Sequence, residues 1–174
     1  MEAKVQNLID RHEIWQVMLR YSRGIDRFDR DMLRSCYHDD AVDDHGSFIG
    51  RVEDFIDWAI GYHRDNNRLH HHGIGNHYCE IDGETAHSET YYTFISANYE
   101  GAHTLAIGRY IDRLEKRGGV WRIANRLCVN ELVCDIVETS LPADYRRMLT
   151  SSGPAARDHT DASYARPLMA RESA

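Results

Sequence analysis

The stretch "HHGIGNHYCEIDGETAHSETYYTFISANYEGAHTLAIGRYIDRLEKRGGVWRIANRLCVNELVCD", His71 to Asp135, decides the fold. Its residues follow the strand period, and Asp82-Gly83, Glu100-Gly101 and Gly118-Gly119 punctuate it. Each pair is a hairpin signal, because glycine accepts the positive φ that tight turns require. The stretch therefore reads as four strands in an antiparallel meander.

Upstream the period changes. Val5, Leu8, Ile9, Ile14, Trp15, Met18, Leu19 and Ile25 are spaced as one buried face of a helix over residues 5–25. Gly24 weakens the end of that helix. A shorter helix is predicted around Asp29 to Cys36, with Asp29 placed as its N-cap. "YHDDAVDDHGSFIGR" (Tyr37 to Arg51) reads as an extended segment with turns at its glycines. Val52, Phe55, Ile56, Ala59 and Ile60 restore helical spacing between Arg51 and Arg64. Helices first and a meander afterwards predict an α+β fold, with helices packed on one sheet face. A strongly curved antiparallel sheet around a long helix makes a cone, and its open mouth is a natural ligand site. Leu141 to Leu149 suits a short closing helix. Residues 1–150 are expected to form a single domain, and 151–174, small, polar and Pro-containing, a flexible tail.

Composition narrows the function classes. The net charge of -7 is spread along the chain, with no basic stripe of the kind nucleic acid requires. No apolar run approaches the roughly 20 residues of a membrane span. The first residues are charged and lack an apolar core, so no secretory leader is expected there. Four cysteines, at 36, 79, 128 and 134, form no CxxC pair. These features point to a cytoplasmic protein with reduced thiols that binds neither nucleic acid nor membrane.

Three places carry candidate chemistry. Asp26 lies at the C-terminal end of the first helix, where the macrodipole disfavours a carboxylate. It either caps the next turn or pairs with Arg23, Arg27 or Arg30, or it orients a histidine at the cavity floor. "RLHHHGIGNHY" (Arg68 to Tyr78) supplies that histidine. On a strand His70 and His72 share a face, and His71 points away. Asn76 continues the parity of His72 unless Gly73 to Gly75 host a bulge. A metal would need three or four ligands on one face, and no HExxH or Cys/His pair completes such a set. Arg126, in an otherwise buried run, needs either a structural anionic partner (Asp43, Asp44 or Glu89) or an anionic ligand. Ten tyrosines against 4 phenylalanines favour a cavity with polar handles. Trp58 and Tyr92 are the candidate aromatic contacts.

The Tyr21-x4-Asp26 pattern, His72-x3-Asn76, "EIDGETA" and Arg126 after the "WRI" strand together resemble the SnoaL-like branch of the NTF2-like superfamily. The resemblance covers Ala3 to Asp135 and is nearest the scytalone dehydratase, hexachlorocyclohexane dehydrochlorinase and bile-acid 7α-dehydratase group. It implies the cone-shaped α+β barrel and a lyase working without a cofactor. By position it assigns His72 as catalytic base, Asp26 as the carboxylate orienting it, and Tyr21 and Arg126 as cavity partners. Asn76 and Asp43, together with Trp58, Tyr92 and His70 from the residue reading, are the candidate substrate-binding positions. Asp43 stands where the dehydrochlorinase has an aromatic residue, which counts against a fully apolar chlorinated substrate. Scytalone dehydratase has a second cavity histidine; His87 and His103 are the nearby candidates here.

The expected reaction is dehydration of a small cyclic, aromatic or polyketide-like hydroxy compound. The same dyad would also serve an isomerase, an aldol-type cyclase or a retro-aldol lyase. A different class is the non-catalytic small subunit of an aromatic-ring dioxygenase, which shares the fold. The resemblance further implies a homo-oligomer, trimer or dimer.

Overall fold

The protein is described by a computed structural model over residues 1–169. The elements run α1 (Glu2–Asp26), α2 (Arg30–Arg34), β1 (Tyr37–Asp44), β2 (Ile49–Arg51), α3 (Val52–Asn66), β3 (Asn67–Asp82), β4 (Thr85–Asn98), β5 (His103–Arg117), β6 (Val120–Ile136) and α4 (Ala143–Leu149). The three expected hairpins are present, with positive φ at Gly83, Gly101, Gly118 and Gly119. Asp29 caps α2 as expected, its carboxylate accepting from the Met32 amide at 3.0 Å.

The sheet has six strands in the order β2-β1-β6-β5-β4-β3. It is mixed and open rather than wholly antiparallel, because β1 pairs with β6 in parallel while all other neighbours are antiparallel. The meander makes four strands, and the "YHDDAVDD" segment adds a fifth along the free side of the last. Helix α1 touches both β3 and β6, which lie three places apart, so the sheet must curl around the helix. That curl makes the cone.

The core lies between α1 and the concave sheet face. Ile14, Val17, Met18, Tyr21 and Ile25 of α1 pack with Phe55 and Ile56 of α3 and with Leu114, Trp121 and Ile123. Burying each large side chain contributes roughly 1.5–3 kcal/mol. The expected apolar face of α1 is buried only in its second half. Val5, Leu8 and Ile9 are exposed, and so is Leu19 farther along. No helix among the described residues is long and apolar enough to cross a membrane.

Of the stretch 151–174 expected to be a flexible tail, residues 170–174 lie outside the described ones. Part of the rest lies against the domain. Arg157 donates to the His63 carbonyl at 2.9 Å and stacks over Phe28, and the Tyr164 hydroxyl donates to Asp29 at 2.8 Å.

Candidate active site

Asp26 and His72 meet where the end of α1 crosses β3. The His72 Nδ1 lies 2.7 Å from Asp26 Oδ1, and the His72 amide donates to the same carboxylate at 3.0 and 3.2 Å. Ser22, one turn earlier on α1, donates to the His72 carbonyl at 2.7 Å. Helix α1 therefore holds both the backbone and the ring of this residue. Gly24 lets α2 pack closely on this end of α1, since an added Cβ would lie 2.8 Å from the Leu33 amide. Burial works to raise the Asp26 pKa, but the bonds and charge from His72 outweigh it and hold the carboxyl below its ordinary value. An ionised carboxylate only accepts, so it fixes the proton on Nδ1. The Nε2 lone pair is then free on the side of the ring facing the cavity.

That cavity has a volume of about 250 Å³ and lies at the cone's mouth. This is slightly below the usual range for ligand pockets and suits a molecule of one or two rings. His72, Tyr21, Trp58 and Tyr92 line it. Phe94, directly opposite His72 on β4, places its ring 4.9 Å away. Tyr92 donates to Asn130 at 2.5 Å and stacks on Tyr110 at 4.6 Å. Its hydroxyl fits because its register partner is Gly108, where a Cβ would lie 2.8 Å from that oxygen.

The histidine run separates as strand parity predicts. His70 and His72 are buried, and the His71 side chain is 67% exposed. A bulge does interrupt β3, but between Ile74 and His77, beyond His72. It leaves His72 in register and turns Asn76 out to solvent, so Asn76 is not a cavity residue. His70 also stands behind the cavity wall rather than at its edge. Its Nε2 contacts the Ile25 carbonyl at 3.1 Å and its ring stacks on His63 at 4.3 Å.

Arg126 and Asp43 sit deeper than the sequence led us to expect. Arg126 makes a two-pronged ion pair with Asp112 at 2.7 and 2.8 Å, both side chains fully buried. Asp112 is none of the three anticipated partners. The guanidinium lies 4.0 Å from the Tyr21 ring centroid and 4.2 Å from that of Tyr110, beneath the rings that face the cavity. It supports the floor and does not line it. Asp43 is wholly buried, its oxygens bonded to the Tyr37 hydroxyl and to His45 Nδ1.

Two cavity histidines escaped the sequence reading, His45 and His63. The anticipated alternatives, His87 and His103, do not line the cavity. His63 sits on α3, its Nδ1 2.8 Å from Asn67 Oδ1. Burial and then the neighbouring His72 and His70 push it down to about 3. Burial and His72 likewise push His70 down to about 4. Both rings are therefore neutral near neutral pH.

Asp26, His70 and His72 bring ligand-type atoms within 4.8 Å of one another. Those atoms are already committed: His72 Nδ1 and amide to Asp26, and His70 Nε2 to the Ile25 carbonyl. A cation there would have to break the contacts that hold α1 on β3.

Residues 6–127 match the SnoaL-like domain family. No curated protein sequence matches the chain significantly. Among solved structures, hexachlorocyclohexane dehydrochlorinase type 3 of Novosphingobium barchaimii superposes with a TM-score of 0.71 at 17% identity, over 80% of this chain and 99% of that one. A scytalone dehydratase-like protein from Novosphingobium aromaticivorans gives 0.69 at 19%, over 80% and 97%. A protein of unknown function from Mycobacterium tuberculosis gives 0.64 at 24%, over 72% and 74%. At these identities the likeness establishes the fold.

Proposed function

The chain belongs to the SnoaL-like domain family, and on that footing we propose that it is a cofactor-independent lyase of the dehydratase type. Its substrate is a small cyclic, aromatic or polyketide-like hydroxy compound. The observation that carries this reading is the 2.7 Å contact between Asp26 and a His72 that lines a small aromatic cavity.

His72 Nε2 removes the proton on the carbon next to a carbonyl or conjugated ring. Asp26 is a positioning residue: it fixes the tautomer and stabilises the imidazolium as it forms. A free histidine pKa of about 6.5 suits a base that works near neutral pH. The Tyr21 hydroxyl stays protonated, because burial raises its pKa far above the ordinary value. It can therefore donate to the enolate oxygen. Arg126 acts through the Tyr21 and Tyr110 rings it supports.

One structural neighbour is named for an elimination, hexachlorocyclohexane dehydrochlorinase, which agrees with this reading. Isomerisation and aldol-type cyclisation begin with the same proton transfer, and a retro-aldol lyase would use the same base on a hydroxyl proton instead; these are the alternative. A scaffold subunit has no use for an ordered base in a cavity.

A direct test follows solvent deuterium uptake and elimination on a panel of β-substituted cyclic ketones. His72→Ala and Asp26→Asn should each lower turnover by about 10²–10⁴-fold, the usual worth of general base catalysis. Undiminished turnover in both variants sinks the reading.

A further inference from the structure

We propose that His45, held by Asp43, is the general acid of this site, giving the cavity a second histidine–carboxylate dyad that protonates the departing group. The inference rests on the lyase reading above and adds the missing half of the elimination. Removing a carbon-bound proton is not enough when the leaving group is hydroxide, which departs readily only as water.

His45 stands just past the end of β1 on the cavity wall. Its Nδ1 bonds the wholly buried Asp43, two residues earlier, whose other oxygen accepts from the Tyr37 hydroxyl at 2.7 Å. The ring is packed by Phe55 at 4.8 Å and by Trp58 and Tyr110 at 6.1 Å. Its Nε2 lies on the cavity side, at a long 3.4 Å from the Tyr21 hydroxyl and beside the Cys128 thiol. Both are weak acceptors, so the Nε2 proton can pass to a ligand oxygen that displaces them.

The groups facing His45 are Asp43 from its own strand, Tyr21 from α1, Tyr110 from β5 and Cys128 from β6; α3 offers only Phe55 and Trp58. Arg126 lies beyond the Tyr21 and Tyr110 rings. Burial lowers the His45 pKa, but the Asp43 charge and bond prevail and raise it to about 9. The two dyads therefore differ in role. Within the proposal His72 accepts one proton, and Asp43 holds His45 as the donor of the other.

In the elimination, His72 Nε2 takes the α proton and the C–H pair becomes the new C=C bond. The C–O bond breaks, its electron pair stays on oxygen, and that oxygen takes the Nε2 proton of His45. Water leaves. His72 ends protonated and His45 neutral, and one proton passed between them through solvent restores both.

The test pairs a β-hydroxy tetralone with its β-acetoxy counterpart, which both yield naphthol but differ in whether the leaving group needs a proton. His45→Gln should slow the hydroxy compound by about 10²–10⁴-fold, the range for acid–base catalysis, and the acetoxy compound by less than about tenfold. Asp43→Asn, which retains the ring, should move the basic limb of the pH–rate profile down from about 9. NMR titration of the whole protein should show the His45 ring protonated well above neutral pH, and neutral there in Asp43→Asn. Equal losses on both ketones, or a His45 that is neutral at neutral pH, overturns the proposal. Full turnover in His72→Ala would instead overturn the lyase reading. If neither ketone reacts, the titration alone decides.

Discussion

Acidification should weaken this protein well before its carboxylates titrate, through the histidine cluster behind the dyad. His63 is pushed down to about 3 and His70 to about 4, in both cases by burial first and then by neighbouring histidines. Unfolded, both titrate near 6.5, so between these values the unfolded chain binds more protons. A depressed histidine pKa therefore contributes stability above about 6.5 that is lost as pH falls below it. At about pH 5 the unfolded value lies about 1.5 units higher, and 1.36 kcal/mol per unit gives about 2 kcal/mol per ring. Part of each shift is repulsion within the same cluster, so the pair together should lose about 2–4 kcal/mol. Asp26, held low by His72, contributes no loss in this window. His45 has the opposite sign: its stabilisation is fully present below about 6.5 and is lost as pH rises through about 9. Urea unfolding followed by tryptophan fluorescence at about pH 7 and about pH 5 measures the difference. His63→Phe keeps a ring against His70 but cannot take a proton, and should remove about half of the loss. A wild-type change below about 0.5 kcal/mol, or the whole loss persisting in His63→Phe, refutes the reasoning.

Three further outcomes follow from the cavity floor. Arg126→Met leaves Asp112 buried without its partner and should cost about 3–5 kcal/mol in unfolding experiments, with Asp112→Leu added to it recovering most of the loss. Gly108→Ala places a Cβ 2.1 Å from the Val129 carbonyl, so it should cost at least about 1–3 kcal/mol and weaken ketone binding by displacing Tyr92. Tyr92→Phe leaves Asn130 without its donor and should raise KM more than it lowers kcat, because it removes a wall contact and leaves the base in place.

The meander was legible because glycine turns and alternation are local signals. The β1–β6 pairing was not, since parallel neighbours need no turn between them. Arg126 shows how narrow the margin can be. Counting outward from the Gly118-Gly119 turn sets it opposite Ile111, and a bulge between Arg113 and Leu114 moves it to Asp112. Asn76 failed for the same reason: the bulge after Ile74 breaks the parity that tied it to His72. His72 survived because its register is fixed upstream of that bulge. His45 could have been found. It lies two residues after Asp43, the spacing that puts strand neighbours on one face, but Gly46 made the segment read as a turn. Asp26 became readable only through its partner, because no local rule favours a carboxylate at a helix end.

Strand β3 lies at the outer edge of the sheet, where unpaired amides and carbonyls invite a second chain to add on. At His72 both groups are taken, the amide by Asp26 and the carbonyl by Ser22. The carboxylate that holds the His72 ring is thus also the cover on an edge that would otherwise template aggregation. Under the proposed mechanism, solubility and proton transfer then depend on the same side chain. Losing Asp26 should therefore leave a protein that is both slow and prone to self-association.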